Sequence, residues 1–214
     1  MQLVDIILHL DQYLVQWSQM MGPWLYLLLF MIIFCETGLV VMPFLPGDSL
    51  LFATGALAAL PGSPLQIGPI WLLLILAAFL GDNLNYHVGM WVGPKAFSQD
   101  KSPWLNPKHL EKTQGFYARY GAVAVTLGRF APIVRTFVPF VAGVGRMDYQ
   151  KFWRYSLIGS LAWMTLFLGA GFLFGNLPIV KRNFHYVILA VIVLSLLPMV
   201  IGALKRSNAP ETKQ

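Results

Sequence analysis

The sequence predicts an all-α polytopic membrane protein. Two opposed re-entrant helical hairpins combine with about three full transmembrane helices and an N-terminal amphipathic helix, and the halves form an inverted repeat. Three observations lead there. Of the 214 residues, 57% are hydrophobic and only 11% charged, where soluble domains carry about 25% charged residues. Long stretches hold almost no charge: Arg154 alone between Phe152 and Gly175, and none from Asn183 to Leu204. Two further apolar stretches are interrupted by proline, glycine and charge.

Taken in order, residues 1–21 place Gln2, Asp5, His9, Gln12, Gln16 and Gln19 three or four apart, on one face of a helix. Leu3, Ile7, Leu10, Leu14 and Trp17 hold the opposite face, so this helix is expected to lie at the interface or against the rest of the protein. Residues 22–205 then form one membrane domain. Its first hairpin, 22–62, is apolar to Met42 apart from Glu36, breaks at Pro43-Phe44-Leu45-Pro46-Gly47-Asp48, and returns through Ser49–Leu60. Proline removes a backbone donor and cannot continue a helix undisturbed. An interruption at membrane depth is tolerated only inside protein or facing water.

Residues 66–93 are long enough to span, with Asp82, Asn83, Asn85, Tyr86 and His87 in the second half. The polar, basic stretch 94–119 is a cytoplasmic loop with a helix starting near Asn106-Pro107, a good cap followed by proline. The second hairpin, 120–146, repeats the first: apolar Gly121–Leu127, a break at Arg129 to Arg135 around Pro132, then an apolar piece containing Pro139. Spans at 152–175 and 184–204 follow, and 206–214 is a cytoplasmic tail. Phe44-x-Pro46 matches Phe130-x-Pro132, and Gly89-x-x-x-Gly93 matches Gly171-x-x-x-Gly175, which suggests an internal duplication.

The formal charge of +6 does not point to nucleic acid, since the basic residues flank apolar runs. With both hairpins re-entrant, Lys95, Lys101, Lys108, Lys112, Arg119, Arg146, Lys151, Arg154 and the tail share one side, against Lys181 and Arg182 on the other. The positive-inside rule makes the rich side cytoplasmic, with the C-terminus there. The single Cys35 and the scattered His9, His87, His109 and His185 form no metal-ligand pattern. No Walker A, HExxH or Gly-x-Ser-x-Gly motif is present, so no metal, cofactor or enzymatic activity is expected.

Charge inside the apolar runs is the functional signal. Insertion scales put one charge at the bilayer centre at roughly 2.5–3.5 kcal/mol, so such residues must pair, neutralise or face water. Arg129 and Arg135 lie across a break and suit phosphate oxygens, because a guanidinium stays charged and offers a planar fork of donors. Glu36 and Asp48 are candidate proton carriers, since carboxylates in low dielectric can exchange protons near neutral pH. Asp82, Asn85 and Tyr86 are candidate cavity-lining residues. Plain structural ion pairs between the hairpins are the competing account.

The runs Phe34-Cys35-Glu36-Thr37-Gly38 … Phe44-Leu45-Pro46-Gly47-Asp48-Ser49-Leu50-Leu51 and Gly128-Arg129-Phe130-x-Pro132-x-x-Arg135-Thr136 … Pro139-x-x-Ala142-Gly143 strongly resemble the DedA family, also called the SNARE-associated or VTT domain family. Gly81-Asp82-x-x-x-Tyr86-x-x-Gly89 fits as well, and the resemblance covers about residues 20–205. It implies a multi-pass inner-membrane protein with two opposed re-entrant hairpins, linked to envelope homeostasis, proton motive force and resistance to cationic antimicrobials. It further implies a flippase of undecaprenyl phosphate or a related phospholipid, with Glu36, Asp48, Arg129 and Arg135 essential. Membrane lipids and protons are then the partners. A proton-coupled antiporter of small cations or drugs is the alternative.

Overall fold

In a computed structural model, the described residues are 20–39, 47–97 and 123–178, with isolated positions at 180, 186 and 190. The amphipathic helix over 1–21, the break at Pro43 and Pro46, the cytoplasmic helix near Asn106 and the span 184–204 lie outside them, apart from positions 20, 21, 186 and 190. The described residues are helical: α1 (Trp24–Gly38), α2 (Gly47–Ala58), α3 (Ile67–Phe97), α4 (Pro132–Val144) and α5 (Tyr149–Phe174). A further helical stretch, residues 123–128, precedes α4.

Length separates two kinds of helix. The apolar stretch Ile67–Gly93 of α3 and all of α5 are long and apolar enough to cross a membrane. By contrast α4 has 13 residues and rises about 20 Å, short of the ~30 Å hydrocarbon core. α1 has 15 and ends at Gly38, where Leu39 turns extended. Local chemistry sets several ends. Asp148 caps α5 by accepting from Lys151 N at 2.9 Å, which starts the helix three residues before the predicted 152. Pro132 occupies the first turn of α4, where its missing N–H costs nothing. Pro139, in the apolar piece after the break, stands inside α4.

The arms of the two broken units are exchanged between the long helices. α1 packs on α3 and α2 on α5, while α4 packs on α3. The stretch 123–128 meets α5, where Thr126 Oγ1 donates to Tyr155 O at 2.9 Å. The two seams formed by the second arms match residue for residue. A Cβ on Gly171 would strike Phe52 O, one on Gly175 would strike Ala56, and one on Gly55 would strike Leu168 O. Across the other seam Gly89 meets Phe140 O, Gly93 meets Val144 and Gly143 meets Tyr86 O. Adding 88 to 52, 55 and 56 gives 140, 143 and 144, and adding 82 to 86, 89 and 93 gives 168, 171 and 175. Small residues let helix backbones approach closely where apolar solvent supplies no hydrophobic drive. The paired Gly-x-x-x-Gly motifs are these two seams.

The main core joins α1, α2, α3 and α5 through Leu29, Ile33, Leu51, Leu74, Met164 and Leu168. A smaller one gathers Tyr86, Val125, Ala142, Met147 and Phe152. Polarity is distributed as a bilayer demands. Leu72, Leu76, Leu80, Leu84 and Val88 form an exposed stripe along α3, whereas Glu36, Asp48, Asp82, Asn85, Arg129 and Arg135 are buried. A stripe of that length on a water-soluble surface would be an association site. In lipid it is the solvent-facing side.

Candidate functional site, a buried ion network at the helix breaks

Four of the five charges of the network sit near a helix start, stop or interruption, and the fifth comes from inside a long helix. Glu36 lies in the last turn of α1 and Asp48 in the first turn of α2. Arg129 belongs to the turn before α4, closed by Phe130 N donating to Leu127 O at 3.2 Å and Ala131 N to Gly128 O at 3.1 Å. Arg135 is one turn into α4, and Asp82 comes from the middle of α3. All five are at most 6% exposed. Isolated burial of such charges would be prohibitive, so their pairing decides whether the fold is tenable.

They divide into two groups. Arg135 donates through Nη1 to Asp48 Oδ1 at 2.6 Å and through Nη2 to Glu36 Oε1, so one guanidinium bridges the first broken unit and the second. Glu36 lies against the Gly47 backbone, and any side chain there would displace its carboxylate. Arg129 donates through Nη2 to Asp82 Oδ2, which also accepts from Ser156 Oγ at 2.6 Å. This second group ties the break before α4 to both long helices.

Trp163 of α5 joins the groups. Its Nε1–H donates to Asp48 Oδ1 at 2.8 Å, and its ring lies 4.7 Å from the Arg135 guanidinium carbon and 5.6 Å from that of Arg129. Aromatic faces attract cations at such separations. Asn85 braces the arrangement: its Nδ2 donates to Thr136 O at 2.6 Å and Thr37 O at 3.2 Å, holding α1 and α4 to one point of α3. Glu36 Oε2, Arg129 Nη1, Arg135 Nε and Asn85 Oδ1 are buried with no partner among the described residues. Unmet polar atoms of this kind in one place call for an explanation.

The structure thus brings Glu36, Asp48, Asp82, Arg129 and Arg135 together, with Asn85 beside them. Tyr86 stands apart: its hydroxyl donates to Met147 O at 2.5 Å and its ring stacks on Phe152, centroids 4.4 Å apart. His87 Nδ1 lies 2.7 Å from Asn83 O. Sequence reading missed Trp163 and Ser156. The available signal was Ser156, Ser160 and Trp163 at helical spacing in an otherwise apolar span, all three fully buried. Among the described residues no group of three His, Cys, Asp or Glu side chains is placed to hold a metal ion.

Residues 45–173 match the VTT domain family, a stretch containing Asp48, Asp82, Arg129, Arg135 and Trp163. Protein DedA of Escherichia coli is 47% identical over 207 residues, 97% of this chain and 94% of that protein. A membrane protein of Mycobacterium tuberculosis is 40% identical over 185 residues, 85% of this chain and 81% of its own. The inner membrane protein YghB of Salmonella typhimurium is 32% identical over 179 residues, 84% of this chain and 81% of its own. No solved structure matches the chain.

Proposed function

The chain belongs to the DedA family of VTT-domain membrane proteins, and on that premise we propose that it carries an anionic lipid across the bacterial inner membrane. The proposed cargo is undecaprenyl phosphate or a related phospholipid, moved in step with the proton motive force. In this reading α1–α2 and the 123–128/α4 unit are re-entrant hairpins entering from opposite faces. The C-terminus lies in the cytoplasm on the positive-inside rule. Arg129 and Arg135 take the head-group phosphate, Glu36 and Asp48 exchange protons, and the acyl or prenyl chain stays in the surrounding lipid.

One observation carries the reading. Two guanidiniums, buried at helix breaks, share one indole and keep Arg129 Nη1 and Arg135 Nε without partners among the described residues. Structural ion pairs alone would be better served by satisfied donors or by apolar packing, since buried pairs rarely repay their desolvation. A guanidinium with an open N–H suits a phosphate oxygen. Helix interruptions near mid-membrane are also where transporters bind substrates.

The test is leaflet transfer of labelled polyprenyl phosphate in vesicles holding the purified protein. Transfer is expected for the native chain and absent for Arg135→Ala. A second reading, proton-coupled exchange of small cations or drugs, rests on Arg135 facing two carboxylates. Cation flux with no lipid movement would replace the first reading by the second.

A further inference from the structure

Among the described residues, Trp163 touches both arginines of the network through its ring and a carboxylate through its N–H. It is fully buried, in the interior of the long helix α5. Tryptophan in membrane helices is ordinarily enriched at the lipid–water interface, where its N–H meets water and its ring meets chains. A buried position in a span is more simply filled by leucine. What leucine lacks is an aromatic face and an N–H donor, and both are in use here.

The face matters because of what it leaves alone. A carboxylate holds a guanidinium by occupying its N–H groups, whereas a ring attracts the cation through its π face and occupies none. Arg135 gives Nη1 and Nη2 to carboxylates and Arg129 gives Nη2, with Arg135 Nε and Arg129 Nη1 left over. The indole therefore fixes both cations without consuming those remaining donors. Its own N–H meanwhile engages Asp48. We propose that Trp163 is the positioning residue of the head-group site, holding Arg129 and Arg135 in register for a single phosphate monoester. This rests on the reading of the two arginines as phosphate ligands and adds what sets their geometry.

Two variants separate positioning from packing. Trp163→Phe and Trp163→Leu both shrink the side chain and remove the N–H, but only phenylalanine keeps an aromatic face. In vesicles with labelled polyprenyl phosphate, corrected for folded protein, Trp163→Leu is expected to raise KM about tenfold. Trp163→Phe is expected to stay within about threefold of the native KM, in line with about 0.5–2 kcal/mol for such contacts. A purely packing role would move both variants alike, and equal KM values overturn the inference. A second measurement needs only the phenylalanine variant. Adding polyprenyl phosphate is expected to change tryptophan emission in the native protein and to leave it nearly unchanged in Trp163→Phe; equal changes in both overturn it. Native protein that neither binds nor moves the probe removes the head-group reading itself, whereas native binding with indistinguishable variants removes only the role of Trp163.

Discussion

Arg135 and Arg129 occupy the same broken unit six residues apart, yet their surroundings differ in stoichiometry. Arg135 faces two carboxylates, Glu36 and Asp48, contributed by both sides of the first break. Arg129 faces one, Asp82, whose second donor is Ser156. The Arg135 group formally holds one carboxylate in excess, while the Arg129 group is balanced. A balanced pair, backed by a hydroxyl and set between long helices, holds its arginine with no carboxylate to spare. An excess carboxylate between two short helices suits a group that gains and loses a proton. The difference teaches that two equally buried arginines can sit in unequal balances of charge.

The contrast can be broken most forcefully at Arg135. Arg135→Ala strands two buried carboxylates, and removing one partner of a buried pair costs about 3–5 kcal/mol. Denaturation in detergent should register that loss, and lipid transfer should vanish. Asp82→Ala is expected to cost somewhat less, about 3 kcal/mol, because it strands a single cation. Adding Arg129→Met should recover most of that stability, since apolar replacement of a whole buried pair is often neutral. Transfer should not return, because a phosphate ligand is gone. Asn85→Ala comes next: Thr37 O and Thr136 O each lose a donor, and unfolding should show a loss of about 1–3 kcal/mol. The smallest effect on stability belongs to Glu36→Gln, which leaves Asp48 to balance Arg135 and should change unfolding by about 1 kcal/mol or less. Its transport signature is sharper. Transfer should lose its response to an imposed proton gradient, whereas a matching loss in Asp82→Asn would erase the distinction between the groups.

Much of the architecture was legible in the residues. α3 and α5 announce themselves by length and apolarity, and α1 and α4 by stopping short around proline and charge. The Gly-x-x-x-Gly correspondence survives as two seams in equivalent register, because close backbone approach needs small residues at fixed spacing. Pro139 is carried within α4. A proline removes one hydrogen bond but does not oblige a helix to stop where neighbouring helices support it. The site charges could be named from their cost in lipid, and pairing between the hairpins was foreseeable, but not which arginine takes which carboxylate, nor that Asp82 joins. Arg129 finds Asp82 across 47 residues and Arg135 finds Glu36 across 99, and nothing local encodes such pairings. Trp163 was marked only faintly, by its helical spacing from Ser156 and Ser160, and its role shows only once the arginines fold onto it.

The claim that the arginines await a phosphate is tested most directly by ligand-dependent stability. A ligand that binds only the folded protein raises its melting temperature in proportion to the logarithm of concentration over Kd. Polyprenyl phosphate should raise the Tm of the detergent-solubilised native chain, while the matching uncharged polyprenol should not. Equal shifts from both, or none from either, would contradict the account.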